Sequence, residues 1–511
     1  MKSCVKLWVF AMVLLWPTLL LSQTYPSTDG YPSTNVLSNP QAHWQPSVCP
    51  SQTTQQQVAR GDLYNAPGGE GAGQAAISRT AYEYELYSYQ PPKKSASPSP
   101  SDVPVPLAQQ APAQQPDLRQ YGGCEGCGQI GCDGCRRWRW LQPICGECCL
   151  GDPWTLPQLG VLQRNNIVIG GWLTGGIMAN AYGDASNGPL SLNSLGDGFN
   201  AHQLWIYGQR KADTGGDGID WGFRVDYMFG VDGPDTQAFG DQSWDWNWNS
   251  SRDYGSAIPQ LYAEIAINNW TLKGGRFYTP MGFEVVPAPN NFFYSHSYSL
   301  GYGEPFTHTG VVLDYRFGPR LSAFGGWVNG WDTGWDNKNH ASLFLGGANL
   351  ALGQQTTLAW VICTGYWGNG TVGTNVGEVM LNTLVFTWKI TERWTYVLQN
   401  DIGCNWAVPN ASDAQWYSIS QYLLYKFNDC WAMGMRVEWF RDDDGRRVIA
   451  GNAGNYYNLT FGLNYKPHAN FTLRPELRYD WYDGTTGGGR PFNGGLERDQ
   501  FSGGFDLIFT F

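Results

Sequence analysis

The stretch Arg474, Glu476, Arg478 and Asp480 sets charges of alternating sign at every second residue, and Arg224 with Asp226, Asp314 with Arg316, and Arg436 with Glu438 repeat the pattern. In an extended chain, residues two apart share a face. Such a face would carry a transverse field that orders water and screens polar solutes, or ion pairs that stiffen a wall. A second grouping lies in "TPMGFEVVPAPNNFFYSHSYSLGYGEPF", residues 279–306, which brings Glu284, Asn290, Asn291, His296 and Glu304 into one segment, with Ser295, Ser297 and His308 nearby. Serine, histidine and an acid are the ingredients of nucleophilic hydrolysis. No G-x-S-x-G, H-E-x-x-H or P-loop pattern accompanies them, so no enzyme is expected.

The third grouping is "CEGCGQIGCDGCRRWRWLQPICGECC", with Cys124, Cys127, Cys132, Cys135, Cys145, Cys148 and Cys149. Paired C-x-x-C knuckles suit tetrahedral zinc. The same cysteines in an exported chain would instead form disulfides or interchain crosslinks. Both readings stand, and zinc is the one cofactor the sequence suggests.

The elements that must position these groups fall in two halves. "MKSCVKLWVFAMVLLWPTLLLSQT" reads as a secretory signal, residues 1–22. Residues 23–120 are rich in Ser, Gln, Pro and Ala and read as a disordered linker, followed by the Cys-rich segment at 121–152. From 160 to 511 the texture is that of strands. Sixteen segments have strand character: 165–180, 202–212, 220–230, 256–268, 270–280, 307–318, 320–331, 340–352, 355–367, 379–390, 394–405, 414–427, 430–441, 456–466, 471–482 and 500–511.

Each is about as long as a tilted strand needs to cross a bilayer, ~9 to 11 residues. Short turns such as Asn268-Asn269 and Gly318-Pro319 alternate with long connections such as 181–201, 231–255, 281–306 and 483–499. Apolar residues alternate with the charges: Met433, Met435, Val437 and Trp439 against Arg436 and Glu438, and Leu473, Leu477, Tyr479 and Trp481 against the series at 474–480. Phe505, Leu507, Phe509 and Phe511 line one side of the last segment, which would close the sheet against the first. The fold class expected is all-β: a transmembrane antiparallel barrel of about sixteen strands, with a disordered, cysteine-containing N-terminal extension on the short-turn, periplasmic side.

The stretch "GRFYTPMGFEVVPAPNNFFYSHSYSL", within a similarity running from Asn165 to Phe511, resembles the OmpL-like beta-barrel porins common among planctomycete outer-membrane proteins. The resemblance implies an outer-membrane barrel more firmly than any solute. The closing aromatic strand resembles the signal read by barrel assembly machinery. Sixteen strands leave an aqueous channel unless something plugs it. The expectation is therefore a passive diffusion pore for small polar solutes or ions, with 279–306 as an inward constriction loop. External packing of that loop, or a trimer interface, is the competing reading.

The alternatives are a structural anchor tying the barrel to the periplasmic cell wall through the extension, and a plugged, substrate-specific transporter. Expected partners are outer-membrane lipid, the assembly machinery and two further copies in a homotrimer. A net charge of -11 argues against nucleic acid. "DQSWDWNWNSSRDYG" would cap the barrel at the interface, or stack sugars and bridge divalent cations.

Overall fold

The computed structural model describes residues 141–511, apart from 147, 197, 239–243, 246, 247, 249–252, 338, 339, 370–375 and 407–412. The signal segment, the linker and Cys124, Cys127, Cys132 and Cys135 lie outside the described residues.

The strands are β1 (Val168–Asn180), β2 (Asn200–Arg210), β3 (Ile219–Gly230), β4 (Gly255–Ala257), β5 (Leu261–Ile267), β6 (Trp270–Tyr278), β7 (Thr307–Gly318), β8 (Leu321–Val328), β9 (Ser342–Ala351), β10 (Thr356–Asn369), β11 (Val376–Lys389), β12 (Trp394–Trp406), β13 (Asp413–Lys426), β14 (Trp431–Asp442), β15 (Gly454–His468), β16 (Phe471–Gly484) and β17 (Asp499–Thr510). Each pairs antiparallel with its neighbours. β3 pairs with β4 at Met228–Gly230 and with β5 at Ile219–Val225, so β4 and β5 are two pieces of one crossing and the barrel has the sixteen crossings expected. β17 pairs with β1 from Trp172 opposite Thr510 to Asn180 opposite Ser502, which closes the sheet. Closure leaves no row of unpaired backbone groups.

The alternation read from the sequence holds in three dimensions. On β14, Met433 and Val437 are exposed while Arg436 and Glu438 are buried; on β17, Phe505 and Leu507 are exposed while Asp506 is buried. A soluble protein would reverse this, so the apolar outside is a lipid-facing surface. Aromatic pairs gather near the short-turn ends of the strands: Trp270 on Tyr315 at 4.2 Å, Trp394 on Tyr425 at 4.6 Å and Trp431 on Tyr465 at 4.1 Å between ring centroids. Amphipathic rings at that level suit the headgroup boundary. The two-residue turn between β5 and β6 puts Asn268 at φ 53°, a left-handed position that asparagine tolerates.

Before β1, the chain runs as a strap across the short-turn end. Cys148 is disulfide-bonded to Cys430, in the turn before β14, with their Cα atoms 6.0 Å apart. Asn428 donates to the carbonyls of Pro143, Ile144 and Gly146, and the Trp431 indole donates to Gln142. The Ala469 N–H then donates to Leu150, Trp154 exchanges two hydrogen bonds with the Asn470 side chain, and Gln158 does the same with the Ile169 backbone. Cys149 is also disulfide-bonded, and Cys145 is a free, exposed thiol. No group of three or more metal-ligating side chains occurs among the described residues.

Candidate functional site: an inward loop and the charged wall that holds it

The connection between β6 and β7 folds into the barrel. Every residue from Met281 to Thr309 is buried. A chain segment with almost no regular structure cannot be buried unless its N–H and C=O groups find partners. Here the inward charges supply them. Glu476 accepts the N–H groups of Tyr294 and Ser295, and Glu438 those of Tyr298 and Ser299. Arg474 donates to the carbonyls of Ala288, Asn291 and Phe293, Arg436 to those of Ser295 and His296, and Arg478 to that of His296. Hydrogen bonds to charged groups contribute roughly 1.5–3 kcal/mol each. β14 and β16 thus form a rack of alternating charge on which an irregular backbone hangs.

Three of the charges also form ion pairs with their neighbours. Arg224 grips Asp226 at 2.7 Å, Arg478 grips Asp480 at 2.7 Å, and Arg474 reaches across to Asp506 at 2.6 Å. Arg436 turns instead to Glu284 of the loop, at 2.6 Å. Asp314 is half-buried and Arg316 exposed, near the short-turn end of β7.

Within the loop, Glu284 accepts from Arg436, the Tyr422 hydroxyl at 3.1 Å and the Ser297 N–H at 2.7 Å, and its other oxygen lies 3.6 Å from His296 Nδ1. Burial alone would raise its pKa, but the Arg436 guanidinium and these donors outweigh it and hold the carboxyl well below the usual range. Glu304 meets the opposite surroundings. It accepts from Thr383 and Gln399, both at 3.1 Å, and the same Gln399 amide bonds Asp401 at 2.8 Å. Burial, followed by the nearby Asp401 carboxyl, pushes Glu304 far up. Asn291 has a local role: its side chain accepts from the Val285 N–H and donates to the Val285 and Pro287 carbonyls. Asn290 ends the single 3-10 turn Ala288–Asn290.

The structure sets six of the ten wall charges, Arg436, Glu438, Arg474, Glu476, Arg478 and Asp480, in hydrogen bonds with the loop, whereas Arg224 and Asp226 pair with each other farther round the wall. It adds partners that the sequence reading passed over. Gln203 on β2 donates to Val286, and its oxygen accepts from Ala288 and the Trp172 indole. His202 bridges Asp232 at 2.9 Å and the Tyr294 hydroxyl at 2.6 Å. Gln399 also takes the Phe283 N–H at 2.8 Å. The polar residues Gln399 and Asp401, two apart on the same face of 394–405, were the available signal. The wall made by β9, β10 and β11 is apolar: Leu343, Leu345, Val361, Cys363, Val379 and Leu381 pack with Val285, Leu300 and Trp331 in one cluster.

Solved structures of similar fold include the outer membrane channel DcaP of Acinetobacter baumannii (12% identity, TM-score 0.45, covering 68% of this chain and 97% of that one). An anion-selective porin from Comamonas acidovorans (12%, 0.45, 68% and 99%) and the trimer form of OmpT from Vibrio cholerae (12%, 0.42, 68% and 99%) are similar in the same degree. No curated protein matches the chain. Residues 166–511 match the family model described as "Putative beta-barrel porin-2, OmpL-like", which spans the whole barrel. The chain belongs to this family of OmpL-like beta-barrel porins.

Proposed function

We propose that this porin of the outer membrane is a narrow channel for ions and small polar solutes, its passage set by the inward loop at residues 279–306. The observation that carries the reading is the complete burial of Met281–Thr309 against the wall, which is inconsistent with a wide aqueous bore at that level. Nearer the short-turn end, the inner positions Gly310, Val312, Asp314 and Arg316 of β7 are half-buried or exposed, consistent with a wetter vestibule leading to the loop. Charged side chains beside such a constriction set ion preference.

The test is single-channel current across a planar bilayer under a salt gradient, for the wild-type protein and for a deletion of Val285–Ser299. Small steps for the wild type and larger, less selective steps for the deletion are expected. Equal currents would remove the loop from the path. A stably inserted barrel silent in both forms would remove the channel.

A second reading, compatible with the first, is supported by the Cys148–Cys430 disulfide. The strap fixes where the N-terminal extension leaves the barrel, at the periplasmic end in the expected topology, so the extension would serve as a tether toward the cell wall.

A further inference from the structure

Three indoles enclose one guanidinium beside the inward loop. Trp331 follows β8, Trp367 lies near the end of β10, and Trp416 is on β13; their exposures are 0%, 3% and 0%. The Trp331 ring centroid is 4.5 Å from that of Trp367 and 6.1 Å, edge to face, from that of Trp416. Arg447 Cζ lies over all three rings, at 5.4 Å from Trp331, 5.6 Å from Trp367 and 4.6 Å from Trp416. Several ring faces around one cation, away from water, is the arrangement that recognises weakly hydrated organic cations.

The occupant comes from a separate segment. Arg447 sits on the connection after β14, whose turn is held by the Asp442 carboxylate accepting the N–H groups of Arg446, Arg447 and Val448 at 2.9, 2.8 and 3.0 Å. A guanidinium carries five donors. Arg447 Nε donates to the Tyr302 carbonyl at 2.7 Å, but one terminal nitrogen has no partner, and neither has the Trp367 indole N–H. Burial lowers the Arg447 pKa to about 10, which leaves it charged near neutral pH, with Asp442 favouring the charge. Three ring faces thus surround a guanidinium that keeps one nitrogen without a hydrogen-bond partner.

We propose that Trp331, Trp367 and Trp416 form a recognition site for organic cations of the guanidinium or quaternary ammonium type, closed in this structure by Arg447 as an internal ligand. The inference does not depend on the conductance of the barrel. Trp416 anchors the cage to the loop, its indole donating to Gly303 at 2.8 Å, and Arg447 holds the next turn through Tyr302. An arriving cation that displaced Arg447 would therefore also release a contact on the loop.

The experiment is calorimetric titration of the full-length protein in detergent with guanidinium chloride or tetramethylammonium chloride, against sodium chloride at matched ionic strength. Wild type, Arg447→Ala and the double variant Arg447→Ala/Trp367→Leu are compared, each first checked for the compact band that folded barrels give on unheated gels. Arg447→Ala should bind one or both cations saturably and at least tenfold more tightly than wild type, and the double variant should lose that binding. No saturable heat above sodium chloride for Arg447→Ala, or equal binding by the double variant, overturns the proposal. If Arg447→Ala does not fold, Arg447→Gln, whose amide keeps a donor for Tyr302, takes its place with the same two outcomes.

Discussion

Glu284 and Arg436 lie 2.6 Å apart, one on the inward loop and one on β14, with the Arg436 side chain fully buried and that of Glu284 5% exposed. This pair is the centre of the loop's attachment, because Arg436 also reaches Ser295 and His296 and Glu284 also takes Ser297. Removing one member leaves the other charge buried without compensation, at a cost of roughly 3–5 kcal/mol. Arg436→Met should therefore lower the temperature at which the heat-modifiable band is lost, whereas Arg436→Met combined with Glu284→Gln should recover part of the loss. A double variant no more stable than the single one would show that the pair is not what couples loop to wall.

Arg474 contributes differently, since one of its terminal nitrogens contacts three loop carbonyls while the other grips Asp506 at 2.6 Å. A lysine carries the charge but not the fork. Arg474→Lys should loosen the loop nearly as much as Arg474→Ala, read as added flicker and higher mean current in single-channel records. A lysine variant with wild-type traces would mean that charge alone suffices.

Asp332, in the connection after β8, accepts the N–H groups of Phe306 and Thr307, both at 2.6 Å, where the loop joins β7. Burial raises its carboxyl to about 8 despite those donors and the nearby Arg276 charge. A folded value above the unfolded one, about 3.9, stabilises most at low pH and loses that contribution as pH rises through the folded value. Wild-type thermal stability should then decline between about pH 4 and about pH 8 relative to Asp332→Asn, whose amide keeps the acceptor without titrating. Parallel curves for the two proteins would rule out Asp332 as the source.

The Cys148–Cys430 bond should hold the strap without holding the barrel. Cys430→Ser should leave the folded band intact, because every strand keeps its neighbours, while making the chain between Leu141 and Gln158 several-fold more sensitive to protease. Loss of the folded band instead would place the disulfide among the barrel's own supports.

The strands were legible because one side of each faces lipid and the other a polar interior, which is why β14 and β16 read so clearly. β9 and β10 carried less information: Leu343 and Leu345 point into the lumen while Phe344 and Trp360 face outward, so greasy residues occupy both faces and periodicity cannot tell inside from outside. The alternating charges were visible, but not their occupation. Spacing along a strand says which charges are neighbours, whereas their partners turned out to be carbonyls and N–H groups of a loop more than a hundred residues away in sequence. The disulfide was hidden for the same reason. Its cysteines are 282 residues apart, and no count of cysteines reveals which two will meet.

The strap crosses the place where a barrel is topologically weakest. Its far end is bonded at the start of β14, it passes the turn between β15 and β16, and it enters β1, so it spans the seam where β17 meets β1. If that seam parted, the first and last strands would remain leashed through about twenty residues of chain, and reclosure would become a local search instead of a meeting of distant ends. The disulfide forms once Cys148 and Cys430 are brought together. Made before the seam closes, the bond would act as the leash; made afterwards, as a hasp on a door already shut.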